Sequence, residues 1–166
     1  EGDVVGAPGE GWKVAMGTLA VERGVSTFGQ QMGFARELDH VLATARATGA
    51  AADPATADRL LDAWMELQVL RHTAVMTLGA PAGSTPGAEA NIAKLMWAPW
   101  HQRLGELAVD VLGAAGTVTA GFAEDGLTPA QQLFLFTRAD TIYGGSNEVQ
   151  RNVIAQRMLG LPRGPA

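Results

Sequence analysis

Ile142-Tyr143-Gly144-Gly145-Ser146-Asn147-Glu148-Val149-Gln150-Arg151-Asn152-Val153-Ile154-Ala155-Gln156-Arg157 is the stretch that decides how this chain is read. Two adjacent glycines free the backbone for a turn that side chains would oppose, and Ser146 is placed to cap the helix that follows. That helix carries Val149, Val153, Ile154 and Met158 on one side and Gln150, Arg151, Gln156 and Arg157 on the other, and Gly160 and Pro162 stop it. Free N–H groups at a helix start, with the positive end of the helix dipole, suit an anionic or electron-rich ligand. Most Gly-Gly-Ser turns merely join two helices, so the pattern alone names no function.

Working outward, the rest of the chain reads as helices. Residues 1–10 hold Gly2, Gly6, Pro8 and Gly9 around Val4-Val5, which reads as a linker trailing from a missing β-domain. Apolar residues at helical spacing then run from about Gly11 to Ala47, through Val14, Leu19, Val25, Phe28, Phe34, Leu38 and Val41. Gly17, Gly24, Gly29 and Gly33 each cost this helix about 1 kcal/mol of propensity, so a backbone or a flat ligand is expected to pack close to them. Gly49 is a C-cap candidate, and Asp53-Pro54 reads as an N-cap with proline at the first helical position of a second helix reaching Leu78. Gly79 to Gly87 is loop-like. A third helix covers about Ala88 to Gly113, with Pro99 predicting a kink near Trp97 or a restart there. A Gly113-Ala114-Ala115-Gly116 turn and an irregular stretch lead to a fourth helix from Pro129 to about Asp140. No segment alternates as a strand would. The expected fold is all-α: an antiparallel four-helix bundle over 11–163 with an additional C-terminal helix and a short tail at 164–166.

Composition narrows the function classes. The 166 residues carry a net charge of -5 at pH 7, with 47% hydrophobic and 17% charged residues. No basic field attracts nucleic acid or anionic lipid, and no apolar run is long enough to span a membrane. The absence of cysteine excludes disulfides and thiolate chemistry and is compatible with a reducing cytoplasm. Starting at Glu1, the chain reads as a domain excised from a longer protein. His40, His72 and His101 lie on three different helices without a Glu-x-x-His pair, so no metal site is expected. Trp12, Trp64, Trp97 and Trp100 are expected in the core and at helix interfaces. Tyr143 is expected to be a buried tyrosine with one hydrogen bond, or a wall of a cavity.

Glu22 is the residue with most chemical content. Leu19 lies three residues before it and Val25 three after, which places its carboxylate on or beside the apolar stripe. A buried carboxylate is costly unless it is paired or used, and burial raises its pKa toward a general base's range. Arg23 projects about 100° away around the helix and need not neutralise it. The other reading is a half-buried ion pair with a bundle arginine.

Read together, these residues resemble the closing segment of the acyl-CoA dehydrogenases, flavoenzymes that oxidise acyl-CoA thioesters to 2-enoyl-CoA. Gly11-Trp12-Lys13-Val14-Ala15-Met16, with Leu19 and Glu22-Arg23-Gly24, resembles the first helix of that family's C-terminal domain. Lys94-Leu95-Met96-Trp97 through His101-Gln102-Arg103-Leu104 to Leu112-Gly113 resembles a later helix of actinobacterial members. The likeness runs from about Val4 to Arg163 and corresponds to the family's C-terminal helical third alone.

The resemblance implies specific roles. Most members take the α-proton with a carboxylate directly after the closing tyrosine, and here that position is Gly144. A minority, of isovaleryl and long-chain type, carries the base on the first helix of this domain, where Glu22 stands. It further implies substrate contacts at Arg23, Gly144, Gly145 and Arg157, and FAD contacts at Ser146, Asn147 and Glu148. Asp110 and Gly113 correspond to a segment reaching FAD across a subunit boundary. Ala20 replaces a frequent aspartate, Asp110 a frequent glutamine, and Gly113-Ala114-Ala115-Gly116 the usual Gly-Gly-Asn-Gly; the Arg-x-x-Phe-Gly element after the first helix is absent. Asp110 beside a diphosphate would be repulsive. The implied partners are acyl-CoA, a second copy or a homologous subunit in a dimer or dimer of dimers, and an electron-transfer flavoprotein or similar acceptor. FAD belongs to the full-length protein and is not expected on this domain alone. The alternative is a non-catalytic partner subunit or oligomerisation bundle.

Overall fold

The computed structural model describes residues 4–78, 88–118 and 126–162, without the side chains of 19–28, 77–78 and 88–90. The Gly79–Gly87 loop, most of the irregular stretch before Thr128 and the 164–166 tail therefore lie outside the described residues. Helix α1 spans Gly11–Thr48, 38 residues, or about 57 Å of helix. Its inner stripe is Gln31, Phe34, Leu38, Val41 and Ala45, all buried, at the three- and four-residue steps of one helical face. Gly49 ends it in the left-handed conformation at φ 81°, its N–H bonding the Arg46 carbonyl.

Helix α2, Pro54–Leu78, starts as its sequence directs. Thr56 donates to the Asp53 carboxylate from both its backbone N–H and its hydroxyl, each at 2.8 Å; these bonds hold the Asp53 carboxyl below its usual range. Leu60, Ala63, Leu67, Leu70 and Ala74 face inward. Helix α3, Ala88–Asp110, runs through Pro99 without a restart. It ends before Gly113, which opens a 3₁₀ turn over Gly113–Thr117. Helix α4, Pro129–Thr137, begins with a full capping box: the Thr128 hydroxyl accepts from Gln131 N–H while the Gln131 side chain accepts from Thr128 N–H. It stops short of the expected Asp140. Residues 138–140 continue in tight turns, each N–H reaching only three residues back, because the Asp140 carboxylate is drawn fully into the core. Helix α5, Asn147–Val153, is capped by the Ser146 hydroxyl and widens into a π turn over Ile154–Met158.

Contacts fix the directions. Thr48 bonds the Val111 carbonyl and Glu37 meets His101, so α1 and α3 run parallel. Arg59 pairs with Asp110 and Arg103 with Glu66, so α2 runs against α3. Gln131 reaches Gly116 and Arg138 reaches Glu106, so α4 runs against α3 as well. The result is an up-down-up-down all-α bundle around Phe34, Leu38, Leu67, Trp100, Leu104 and Val111, with α5 packed on α3. No described residue is in a strand, and no helix among them is long and apolar enough to cross a membrane.

Among the described residues, the close approach expected of α1's glycines is not seen. Nothing comes within 4 Å of a Cβ built on Gly17, Gly29 or Gly33, and the surroundings of Gly24 lie outside the described residues. A tight contact between α3 and α4 is found at Gly105, where a Cβ would stand 2.6 Å from Thr137 Oγ1 and 3.1 Å from Phe134 Cα. Gly105→Ala must therefore push α4 away from α3. The expected loss is about 1–3 kcal/mol in denaturant-monitored unfolding; an unchanged midpoint would show that α4 yields freely.

Two tryptophans depart from expectation. Trp100 is buried and donates to the Ala63 carbonyl at 2.9 Å, whereas Trp12 and Trp64 stay exposed. Trp64 belongs to an outward apolar face of α2 with Leu61, Met65, Val69, Val75 and Met76.

Candidate active site

The glycine turn has the geometry its sequence predicts. Gly144 and Gly145 lie at φ 65° and 90°, the left-handed region that other residues enter only at a cost. Ser146 then accepts from Val149 N–H at 3.4 Å. Gln150, 1% exposed, closes the turn from behind by donating to the Gly144 carbonyl at 2.9 Å. Around the place where Gly144 lacks a side chain, the one neighbour within reach among the described residues is Lys94 of α3, its Cε 4.0 Å from a built Cβ.

Lys94 is 6% exposed, and its ammonium donates to the Asp140 carbonyl. It also lies 4.3 Å from the Trp97 ring centroid and 5.1 Å from that of Tyr143. Burial lowers its pKa, and the charge of Asp140 offsets part of that fall. Asp140, fully buried, is the centre of the polar layer. One carboxylate oxygen accepts from the Tyr143 hydroxyl at 2.8 Å and the other from His101 Nδ1 at 2.7 Å. His101 Nε2 in turn meets Glu37 of α1 at 2.8 Å. Ionised carboxylates only accept, so a ring bonded to one on each nitrogen carries both protons and a positive charge. Burial opposes that charge, but the hydrogen bonds to Asp140 and Glu37, with their charges, outweigh it and leave His101 above its usual range. Burial, with the Asp140 carboxylate, pushes the Tyr143 hydroxyl up, so it stays protonated.

The sequence-predicted residues divide into four groups. Gly144, Gly145, Ser146, Asn147 and Glu148 come together at the turn, Glu148 exposed and 3.5 Å from Arg151. Asp110 and Gly113 lie at the opposite end of α3, about 24 Å of helix from Lys94, so within one chain they do not join the turn. Arg157 is exposed and has no ion pair among the described residues. Glu22 and Arg23 lie on α1 with their side chains outside the described residues.

Two features escaped the sequence. Asp110 is paired with Arg59 of α2 at 2.8 Å, so a cation accompanies the carboxylate expected to repel a diphosphate. The second is the His101–Asp140–Lys94 layer. Its signal was legible: Lys94, Ala98, His101, Leu104 and Ala108 share one face of α3, and polar residues on an apolar stripe are costly unless partnered.

A polar cofactor fits this end of the bundle. Among the described residues four buried side-chain atoms have no hydrogen-bond partner: Gln31 Oε1, Asn91 Oδ1, Asn147 Oδ1 and Gln150 Oε1. Asn147 and Gln150 flank the turn, while Asn91 and Gln31 lie one turn from Lys94 and Phe34 on their helices. Buried acceptors without partners are rare in native structures and point to contacts beyond the described residues.

The fold and turn together define a helical bundle domain with a buried polar layer beneath a glycine turn. The family model described as acyl-CoA dehydrogenase, C-terminal domain, matches residues 9–159; the chain belongs to the acyl-CoA dehydrogenase family. It is 56% identical over 161 residues to acyl-CoA dehydrogenase IpdE1 of Mycobacterium tuberculosis (strain ATCC 25618 / H37Rv), covering 96% of this chain and 40% of that protein. IpdE1 of Mycolicibacterium smegmatis (strain ATCC 700084 / mc(2)155) is 53% identical, with 98% and 40% covered. The chain thus spans about two fifths of these relatives. The Tcur3481-Tcur3483 steroid ACAD superposes with a TM-score of 0.81 at 28% identity, over 98% of this chain and 42% of that one. PigA with FAD and proline, at 21% identity and a TM-score of 0.78 over 95% and 40%, shares the fold.

Proposed function

We propose that this chain is the C-terminal domain of an FAD-dependent acyl-CoA dehydrogenase that introduces a 2,3-double bond into a bulky acyl-CoA thioester. The chemistry supplied by bound FAD is acceptance of the β-hydride. Glu22 takes the α-proton on its carboxylate. Arg23, Arg157 and the Gly144–Gly145 backbone hold the acyl-CoA. Ser146, Asn147 and Glu148 line the dinucleotide side, and Asp110 and Gly113 serve the FAD of a neighbouring protomer. The observation that carries this reading is Gly144: the place after the closing tyrosine holds no carboxylate and sits at φ 65°, which leaves the base to the first helix. A steroid-type acyl group is favoured by the relation to the steroid ACAD. Glu22→Gln in the full-length protein tests the assignment. The working form is cytoplasmic and passes its electrons to an electron-transfer flavoprotein or a similar acceptor.

The outward apolar face of α2 supports association with a second copy or a homologous subunit. A non-catalytic partner subunit is the second reading, favoured by the replacement of Gly-Gly-Asn-Gly by Gly113-Ala114-Ala115-Gly116. Flavin counting separates the two. The full-length catalytic protein is expected to hold FAD, whereas the 166-residue domain is expected to be colourless after incubation with FAD and gel filtration. A flavin band on the isolated domain would show that the missing domains are not needed for binding, and a flavinless full-length protein would favour the partner-subunit reading.

A further inference from the structure

We propose that His101 is a positioning residue for the substrate wall: held between Glu37 and Asp140, it fixes the Asp140 carboxylate, which in turn fixes Tyr143 beside Gly144. The inference rests on the turn being the acyl-CoA wall.

The geometry is a chain of three bonds crossing the bundle. It runs from Glu37 on α1, through His101 on α3, to Asp140 and Tyr143 in the segment between α4 and α5. Phe34, 4.5 Å between centroids, and Trp100, 6.0 Å, cover the imidazole, so the ring has little freedom and its two acceptors set its plane. Asp140 uses one oxygen on His101 and the other on Tyr143, which makes the carboxylate's orientation the property that His101 transmits. Tyr143 is 45% exposed and its hydroxyl has Asp140 as its one hydrogen-bond partner among the described residues. Its ring otherwise meets Trp97 and Phe136 at centroid distances of 6.3 and 6.4 Å and the Lys94 ammonium at 5.1 Å, contacts that lack the directionality of the hydrogen bond to Asp140. The charged and titratable groups facing His101 are thus Glu37 from α1 and Asp140 from the turn, with Lys94 and Tyr143 acting through Asp140. Each of these bonds sets the orientation of the next group, so the role is positioning.

The test uses the full-length, FAD-loaded protein and the single variants His101→Gln and Tyr143→Phe with their double. Each single is expected to raise KM for the acyl-CoA roughly tenfold while kcat moves less than about threefold, and the double should be no worse than the more severe single, because both cut one chain. Effects that multiply in the double would overturn the proposal. A second readout needs no turnover. In protein labelled with [13Cζ]tyrosine, the Tyr143 signal, assigned as the one lost in Tyr143→Phe, should shift as His101 titrates and lose that pH dependence in His101→Gln. An unchanged profile in His101→Gln would equally overturn it. Should His101→Gln fail to fold, Glu37→Gln keeps the His101–Asp140 bond, and the Tyr143 signal should then titrate at lower pH than in the parent; no displacement refutes the chain. If Glu22→Gln leaves turnover intact, the reading of the catalytic base fails, while the tyrosine signal still judges His101.

Discussion

Glu22→Gln in the full-length, FAD-loaded protein is expected to lower kcat for acyl-CoA oxidation by about 10²–10⁴-fold, the usual worth of a positioned general base. The substitution keeps the size and helix propensity of the side chain and removes only its ability to take a proton, so FAD content and unfolding midpoint should stay close to the parent's. KM should move little, because an interaction used only in the transition state shows itself in kcat. The exchange of the substrate α-hydrogen with solvent, measured by deuterium uptake, should fall in parallel, since that step asks for the base without the hydride transfer. Undiminished turnover would leave this domain a role in association alone.

The second large effect is expected at Asp140. Its carboxylate is fully buried and answers His101, Tyr143 and, through its backbone carbonyl, Lys94. Asp140→Ala strands the His101 imidazolium without its inner partner and leaves a void, and breaking a buried pair in this way costs about 3–5 kcal/mol. The pH dependence has a definite sign. His101 has a folded pKa above its unfolded value, so its contribution is fully present below about pH 6.5 and is lost as pH rises through the raised folded value. Urea midpoints of the parent should therefore fall between pH 6 and pH 9 from this group, and Asp140→Ala should flatten that fall. A parent and variant with parallel pH profiles would show that the imidazole carries no charge in the native state.

Much of the fold was legible because its punctuation is local. Asp53-Pro54, Gly49, Pro129 and Ser146 each fix a helix end through bonds within a few residues, and all four act as read. The limit of α4 was misread because it depends on a distant partner: nothing in residues 129–140 announces that Asp140 will leave the helical path to meet a histidine on α3. The same holds for Arg59, whose role appears only when α2 lies against the end of α3. His101 was set aside through being weighed as a metal ligand, when its place on an apolar stripe was the informative fact. The glycines of α1 predict a close neighbour, another backbone or a flat ligand; among the described residues the helix-to-helix approach is at Gly105 of α3, and Gly17, Gly29 and Gly33 meet nothing there within 4 Å.

The φ of 65° at Gly144, with Lys94 beneath it, bears on how such an enzyme can change over generations. A single codon change to glutamate at 144 would meet about 1–2 kcal/mol of backbone penalty and place the new acid next to an ammonium that would hold it ionised but occupied. Moving the proposed base from Glu22 to position 144 would thus need at least two coordinated changes, one relaxing the turn and one removing the lysine's grip.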